Sequence, residues 1–250
     1  MSTSNDHRVN QALTSRVEVR ALNWLARHMP AWVTPDVMTG FAFFAAILTG
    51  AAYGLTRLSP AFLWLASLGL IFHWFGDSLD GTIARYRKVE RPNYGFFVDH
   101  ALDAFSATFI FVGMGVSYYV DLRFALVALV GYLLISIYVY LDTHVTGEFR
   151  LSYIGLGPTE LRGFGVLANA AVFFVGNPMV HVASLQMTLY DLLVLIIAAL
   201  LFVVCFAMVM IKARQLARFD AARLKRENRG AQKKGQAGSS YQNKAPARAR

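Results

Sequence analysis

Four aspartates stand in two pairs, Asp77-Ser78-Leu79-Asp80-Gly81-Thr82-Ile83-Ala84-Arg85 and Gly95-Phe96-Phe97-Val98-Asp99-His100-Ala101-Leu102-Asp103, at the edges of apolar runs. Ionisable groups in such runs cost about 2.5 to 3.5 kcal/mol each on insertion scales, so they mark a function rather than packing. Asp77 and Asp80 are spaced i, i+3 and Asp99 and Asp103 i, i+4, so on helices each pair projects from one face. Two such faces opposed make a box of four carboxylates. Four negative charges share a low-dielectric site only when protonated or neutralised, and a donor set of oxygen alone favours hard divalent cations such as Mg²⁺, Mn²⁺ or Ca²⁺. Two divalent ions balance the charge, and two metals about 3.5 to 4 Å apart clamp the attacking and leaving oxygens at phosphorus. Gly81, Ala84 and Gly95 leave room for a ligand to approach the backbone, and Arg85 is a fixed cation able to grip a phosphate through two N–H groups. Helix packing is the alternative use of the two glycines.

These residues need elements to hold them. Hydrophobic residues make up 56% of the 250-residue chain and its mean hydropathy is +0.44, above the range of an ordinary soluble domain. Six runs are free of charge for long enough to cross a bilayer with a few flanking residues: 38–56, 61–76, 104–120, 124–141, 163–180 and 192–211. The runs 61–76 and 104–120 are short of the ~20 residues a span needs. Pro60 and Arg57 close the start of the first, so it lengthens forward through Asp77 towards Arg85; the second lengthens backward through Asp103 and Asp99 towards Gly95. Both pairs therefore belong to the ends of consecutive antiparallel spans and meet at similar depth.

Lys and Arg concentrate in residues 1–37, in the loop 84–94, in 144–162 and after Lys212, whereas the opposite side offers Arg57 and Arg123. The bias predicts that both termini and the aspartate cluster face the cytosol. The formal charge of +9 resides in the segment 212–250, which is poor in apolar residues and is expected to be disordered. Beside a span, such a segment contacts anionic headgroups at about 1 kcal/mol per basic residue, or is a solvated tail that fixes topology; nucleic acid is not an expected partner. At the other end Val9, Leu13, Val17, Ala21, Trp24, Leu25 and Met29 fall on one helical face, the pattern of an interfacial helix. No signal-peptide core precedes it. The lone Cys205 lies in the sixth run, where packing is its expected role.

The pattern Asp77-x-x-Asp80-Gly81-x-x-Ala84-Arg85, then Gly95-x-x-x-Asp99-x-x-x-Asp103, resembles the signature of the CDP-alcohol phosphotransferase family, with one extra residue in the spacer after Arg85. Thr34-Pro35-Asp36-Val37-Met38-Thr39 is similar to the Pro-Asn-x-x-Thr that opens the first span in that family, with Asp36 in place of Asn; Pro35 and Thr34 also suit a plain helix start. The resemblance implies transfer of a phosphoalcohol group from a CDP-linked donor to an acceptor hydroxyl with release of CMP. It implies that Asp77, Asp80, Asp99 and Asp103 hold two Mg²⁺ or Mn²⁺ ions, that Asp103 takes the acceptor's proton, and that Asp77, Gly81, Ala84, Arg85 and Gly95 lie along the CDP moiety. A homodimer is implied as well.

Glu160, in Gly155-Leu156-Gly157-Pro158-Thr159-Glu160, and His100 are candidates for the acceptor side; Glu160 can instead cap a helix, and His73 and His100 can serve as hydrogen-bonding groups behind the carboxylates. The expected organisation is an all-α polytopic membrane protein with six transmembrane helices and both termini cytosolic. An interfacial helix spans 1–31, the six-span domain 32–212 and the basic tail 213–250. CDP-diacylglycerol is the favoured donor, a CDP-choline or CDP-ethanolamine type of donor the alternative, and the bilayer expected is a bacterial plasma membrane. A cation transporter is the reading from another class, but charged residues do not continue the path through the later runs.

Overall fold

In the computed structural model the backbone is described for residues 15–146, 158–182 and 185–242. The chain divides into two units, Met1–Phe202 and Val203–Arg250. In order along the chain the elements are α1 (Ser15–His28), α2 (Pro35–Leu55), α3 (Phe62–Arg87), α4 (Pro92–Val116), α5 (Leu122–Thr146), α6 (Pro158–Val175), β1 (Met179–Val182), β2 (Leu185–Thr188) and α7 (Leu189–Gln242). Among the described residues five helices, α2 to α5 and α7, are long and apolar enough to cross a membrane, while the apolar part of α6, Leu161–Val175, is shorter.

The fifth apolar run thus stops short of its expected end at residue 180. Gly176 adopts φ +85 and donates its N–H to Val172 O at 3.0 Å, a glycine stop that a side chain would strain. Asn177 and Pro178 follow, and β1 and β2 pair antiparallel with Met179 opposite Thr188, so the fold is not purely helical. Thr188 then opens α7 through a reciprocal cap: its Oγ1 accepts from Asp191 N at 3.0 Å, and Asp191 Oδ2 accepts from Thr188 N at 3.1 Å. The helix α7 continues to Gln242, so the basic segment from 213 is helical as far as it is described rather than disordered. Its Ala, Arg, Lys, Gln and Leu are strong helix formers, and local propensity extends the helix where apolar burial has ended.

Small residues let the helices of the first unit close on one another, as membrane interfaces favour. The α2 positions Ala42, Ala45, Ala46, Thr49, Gly50 and Ala52 are all buried. A Cβ at Gly76 would lie 2.8 Å from Met38 O and 2.9 Å from the Ala42 Cβ, so α3 touches the α2 backbone at the residue immediately before Asp77. Two apolar clusters result. One joins Ala52, Tyr53, Leu63, Ala66, Met114, Ala125, Val172, Tyr190 and Val194; the other joins Leu22, Ala26, Val33, Met38, Leu79 and Ile83. Large apolar side chains such as Phe44, Phe105 and Leu141 point outward and are exposed, as they are on helices that face lipid. The composition, the helices and their outward faces make this a multi-pass membrane protein.

Of the expected interfacial helix, residues 15–28 form α1, and Val9 and Leu13 lie outside the described residues. The side chains that bury are Leu22 and Ala26, packed with Leu25 and Met29 against Leu79 and Ile83, while Ala21 and Trp24 are exposed. The inward stripe is therefore turned from the expected one, because α3 claims the Leu22 side and leaves Trp24 outward. Arg87 ties down the chain after α1: its guanidinium donates to the carbonyls of Met29 (3.0 Å), Pro30 (2.9 Å), Ala31 (3.3 Å) and Val33 (2.7 Å).

Candidate active site

Asp77 and Asp80 ride on α3, a helix of 26 residues and so about 39 Å long, which exceeds the ~30 Å of hydrocarbon and carries its last turns towards the interface. The helix ends at Lys88, whose φ of 57 is left-handed, with its N–H on Arg85 O at 3.2 Å. Four residues later Pro92 begins α4, which packs on α2, as α3 does, and so brings Asp99 and Asp103 to the same cavity as Asp77 and Asp80. The turn is braced by Arg91, which pairs with Asp36 at the start of α2 and lies over the Tyr94 ring at 4.2 Å.

The four aspartates share one small cavity, lined also by Thr39, Ala42, Phe43, His73, Leu102 and Ser106. Asp77, Asp99 and Asp103 each present a carboxylate oxygen, and these oxygens all lie within 4.8 Å of one another. Asp80 is held differently. Its Oδ2 accepts from Thr39 Oγ1 at 2.6 Å and its Oδ1 from its neighbour Gly81 N, so the Thr of the α2 motif orients a carboxylate. Thr39 can do so because Thr34 caps α2, accepting from Val37 N at 3.3 Å, and because the Gly76 contact draws α2 onto α3.

A fifth charged residue completes the site. Arg162, from the second turn of α6, donates from Nη1 to Asp77 Oδ2 at 2.7 Å and places Nη2 4.0 Å from Asp103 Oδ1. Its side chain is 12% exposed and that of Asp77 21%, so the pair is largely removed from water. In the sequence Arg162 is one of the basic residues of the segment 144–162 that set the charge bias. The available signal was its place four residues after Pro158, within a helix and facing an apolar run rather than in the loop before it.

The other expected residues distribute as follows. Gly81 and Ala84 are partly buried on α3, and Arg85 is exposed, donating from Nη2 to Thr82 Oγ1 at 3.2 Å. Gly95 is exposed on the first turns of α4, with nothing within 4 Å of where a Cβ would stand, so the backbone there is open to a ligand. His100 does not line the carboxylate cavity: its Nδ1 meets Phe96 O at 2.6 Å and its ring stands 4.7 Å from that of Tyr140. His73 does line the cavity, is buried, and its Nδ1 has no hydrogen-bond partner among the described residues. Glu160 belongs to the first turn of α6, but its side chain and residues 155–157 lie outside the described residues.

The donor set fits a divalent cation. It is made only of oxygen, it gathers like charges that repel unless a cation intervenes, and three of its oxygens already converge.

No family model matches the chain. Among curated proteins it is 32% identical over 97 residues to cholinephosphotransferase 1 of Danio rerio, covering 36% of this chain and 25% of that protein. It is 32% identical over 165 residues to a CDP-diacylglycerol–serine O-phosphatidyltransferase of Encephalitozoon cuniculi, covering 62% and 41%. To a phosphatidylinositol phosphate synthase of Cutibacterium acnes it is 34% identical over 84 residues, covering 34% and 38%. The chain thus spans between a quarter and about two fifths of the length of the curated relatives it matches. Among solved structures, the phosphatidylinositol phosphate synthase of Mycobacterium tuberculosis with CDP-DAG bound superposes with a TM-score of 0.54 at 20% identity, over 78% of this chain and 92% of that one. That likeness establishes a shared fold. With the two-part aspartate signature intact and its carboxylates gathered in one cavity, the chain is similar to enzymes of both the phosphatidyl and the choline kind, as the CDP-alcohol phosphotransferase resemblance implies.

Proposed function

We propose that this protein is a divalent-metal-dependent transferase that moves a phosphoalcohol group from a CDP-linked donor to an acceptor hydroxyl and releases CMP, in phospholipid synthesis. The convergence of Asp77, Asp99 and Asp103 oxygens within 4.8 Å, inside the family signature, carries this reading. Asp77, Asp80, Asp99 and Asp103 hold two Mg²⁺ or Mn²⁺ ions, which when bound neutralise charge on the pyrophosphate. Asp103 accepts the proton as the acceptor O–H bond breaks and the oxygen bonds to the phosphorus that bears the donor's alcohol. The bond from that phosphorus to the bridging oxygen breaks, and CMP leaves with the electron pair. Gly81, Ala84 and Gly95 let the CDP moiety approach the backbone, and Arg85 binds phosphate. Arg162 holds Asp77 in place and offsets charge at Asp103.

CDP-diacylglycerol is the favoured donor, supported by the name of the Encephalitozoon cuniculi relative and by the CDP-DAG bound in the Mycobacterium tuberculosis structure. The 97-residue similarity to a cholinephosphotransferase favours a CDP-aminoalcohol donor as the second reading. Under this proposal the chain crosses the membrane six times, with α6, about 27 Å long for its 18 residues, as the fifth span. Both termini and the carboxylates face the cytosol of a bacterial plasma membrane, where the Lys and Arg of the 84–94 loop and of the segment after 212 accord with the charge bias of cytosolic segments. Glu160 borders the acceptor entrance, and the protein acts as a homodimer.

The test is CMP release by the purified protein with Mn²⁺ or Mg²⁺, offering CDP-diacylglycerol and CDP-aminoalcohols against a panel of polyol phosphates, serine, inositol phosphate and diradylglycerols. Release is expected with one donor class, is lost in EDTA, and falls about 10² to 10⁴-fold in Asp103→Asn, the usual range for a lost general base. Release that is metal-independent or unchanged in Asp103→Asn would overturn the mechanism, and no release with any pair would favour an ion-conducting role.

A further inference from the structure

Arg162 reaches the carboxylates from the second turn of α6, and its reach depends on what holds that turn against α3. Glu18, in the first turn of α1, accepts through one oxygen, Oε1, from Trp74 Nε1 at 3.0 Å and from Thr159 Oγ1 at 3.3 Å. Trp74 stands three residues before Asp77 on α3, and Thr159 three residues before Arg162 on α6. On each helix the anchored side chain is therefore about one turn from, and on the same face as, a member of the ion pair. Arg162 closes the ring of contacts by donating to Asp77 at 2.7 Å.

We infer that Glu18 is a positioning residue: through it α1 clamps the start of α6 to α3 and keeps the Arg162 guanidinium on Asp77 and Asp103. The inference rests on the reading of the carboxylates as a metal site. The clamp has a firm base, since Leu22 and Ala26 bury against α3 and Arg87 grips four carbonyls just after α1. The far half of α6 is pinned independently. Asn169, seven residues after Arg162 and so on the same face, accepts from Tyr53 Oη (3.1 Å) and Tyr190 Oη (2.9 Å) and donates to Ser67 Oγ (3.1 Å). Glu18 supplies the pin at the near end, and Arg162 lies between the two.

A guanidinium beside the carboxylates opposes a divalent cation there. Releasing the start of α6 lets that charge leave, so the carboxylates bind metal more tightly while transfer slows. Local loss of structure would scatter the ligands and weaken metal binding, so the sign separates a positioning role from a merely structural one.

The experiment uses the full chain in lipid nanodiscs, with Mn²⁺ titration read from the paramagnetic resonance of the free ion and hydrogen exchange over residues 158–163. Glu18→Ala is expected to raise exchange there and to tighten Mn²⁺ binding about tenfold, at the lower end of effects from groups behind metal ligands. Glu18→Gln keeps an oxygen for both donors and should stay within about twofold of wild type, and Glu18→Ala should add nothing in an Arg162→Gln background. Thr159→Val cuts one arm and serves as the milder variant should Glu18→Ala fold poorly. Unchanged exchange in both variants would overturn the clamp. Faster exchange with Mn²⁺ affinity unchanged or weakened would overturn its link to the cluster. A wild-type chain that binds no Mn²⁺ would instead overturn the metal reading, and the clamp would then stand or fall on exchange alone.

Discussion

Arg162 changes how the carboxylates can coexist. Three oxygens within 4.8 Å of one another repel strongly at low dielectric, and a guanidinium 2.7 Å from Asp77 and 4.0 Å from Asp103 offsets part of that repulsion. Removing one partner of a largely buried pair is costly because the other charges stay behind. Arg162→Gln should therefore lower the thermal midpoint in EDTA and regain much of it in Mn²⁺, with CMP release down about 10 to 100-fold, the range seen for groups that support metal ligands. A midpoint unmoved in EDTA would show that Asp77 and Asp103 do not rely on Arg162. The role of this residue is not legible in its local sequence. An arginine at the edge of an apolar run has the same local pattern whether it marks topology or reaches a site on another helix, and only the α3–α6 contact decides. The aspartates had no such ambiguity, since four carboxylates at i, i+3 and i, i+4 in apolar runs have few uses other than a cation.

At the scale of elements, caps and small residues do the placing. Asp121 begins α5: its Oδ1 accepts from Arg123 N at 2.8 Å and from Arg123 Nε at 3.0 Å, and its Oδ2 from Arg123 Nη2 at 2.8 Å. The side-chain bonds to Arg123, then the backbone bond, hold the carboxyl down to about 2. A depressed carboxylate contributes stability that is fully present above its unfolded value of about 3.9 and is lost as pH falls from there towards 2. Asp121→Ala should cost about 1 kcal/mol at neutral pH, the usual worth of such a cap, and its thermal midpoint in detergent should converge on that of wild type as pH drops from 4 to 2. A difference that persists at pH 2 would mean that packing rather than the cap is responsible. The helix start at Thr34-Pro35 was legible in the sequence because capping is local. The end of α6 at Val175 does not show in the charge pattern, since 163–180 carries no charge; the local stop is Gly176-Asn177-Pro178, where the positive φ of Gly176 turns the chain.

For the whole molecule the charge bias predicts a site that faces the cytosol. Cys205 is the single cysteine, so a Cys205→Ser background makes labelling clean. Glu90→Cys, in the exposed turn between α3 and α4, should react with an impermeant maleimide only when the cytosolic face is opened, and Tyr118→Cys, between α4 and α5, from the outer face of intact cells. The reverse pattern would invert the topology and separate the carboxylates from cytosolic nucleotide. Both positions flank α4, so the pair reads the two ends of one span.

By itself the sequence determined the membrane setting, the short link that brings the end of α3 and the start of α4 to one level, and the four aspartates with their two-part signature. These follow from hydropathy and from spacing along a helix, which act within a few turns of chain. Tertiary structure alone decided that Thr39 holds Asp80, that Arg162 from α6 joins the carboxylates, that Glu18 reaches Trp74 and Thr159, and that Leu22 rather than Trp24 turns inward. Each of these depends on where a second helix lies, and helix packing is set by the sum of many small contacts along both surfaces, which no local pattern encodes.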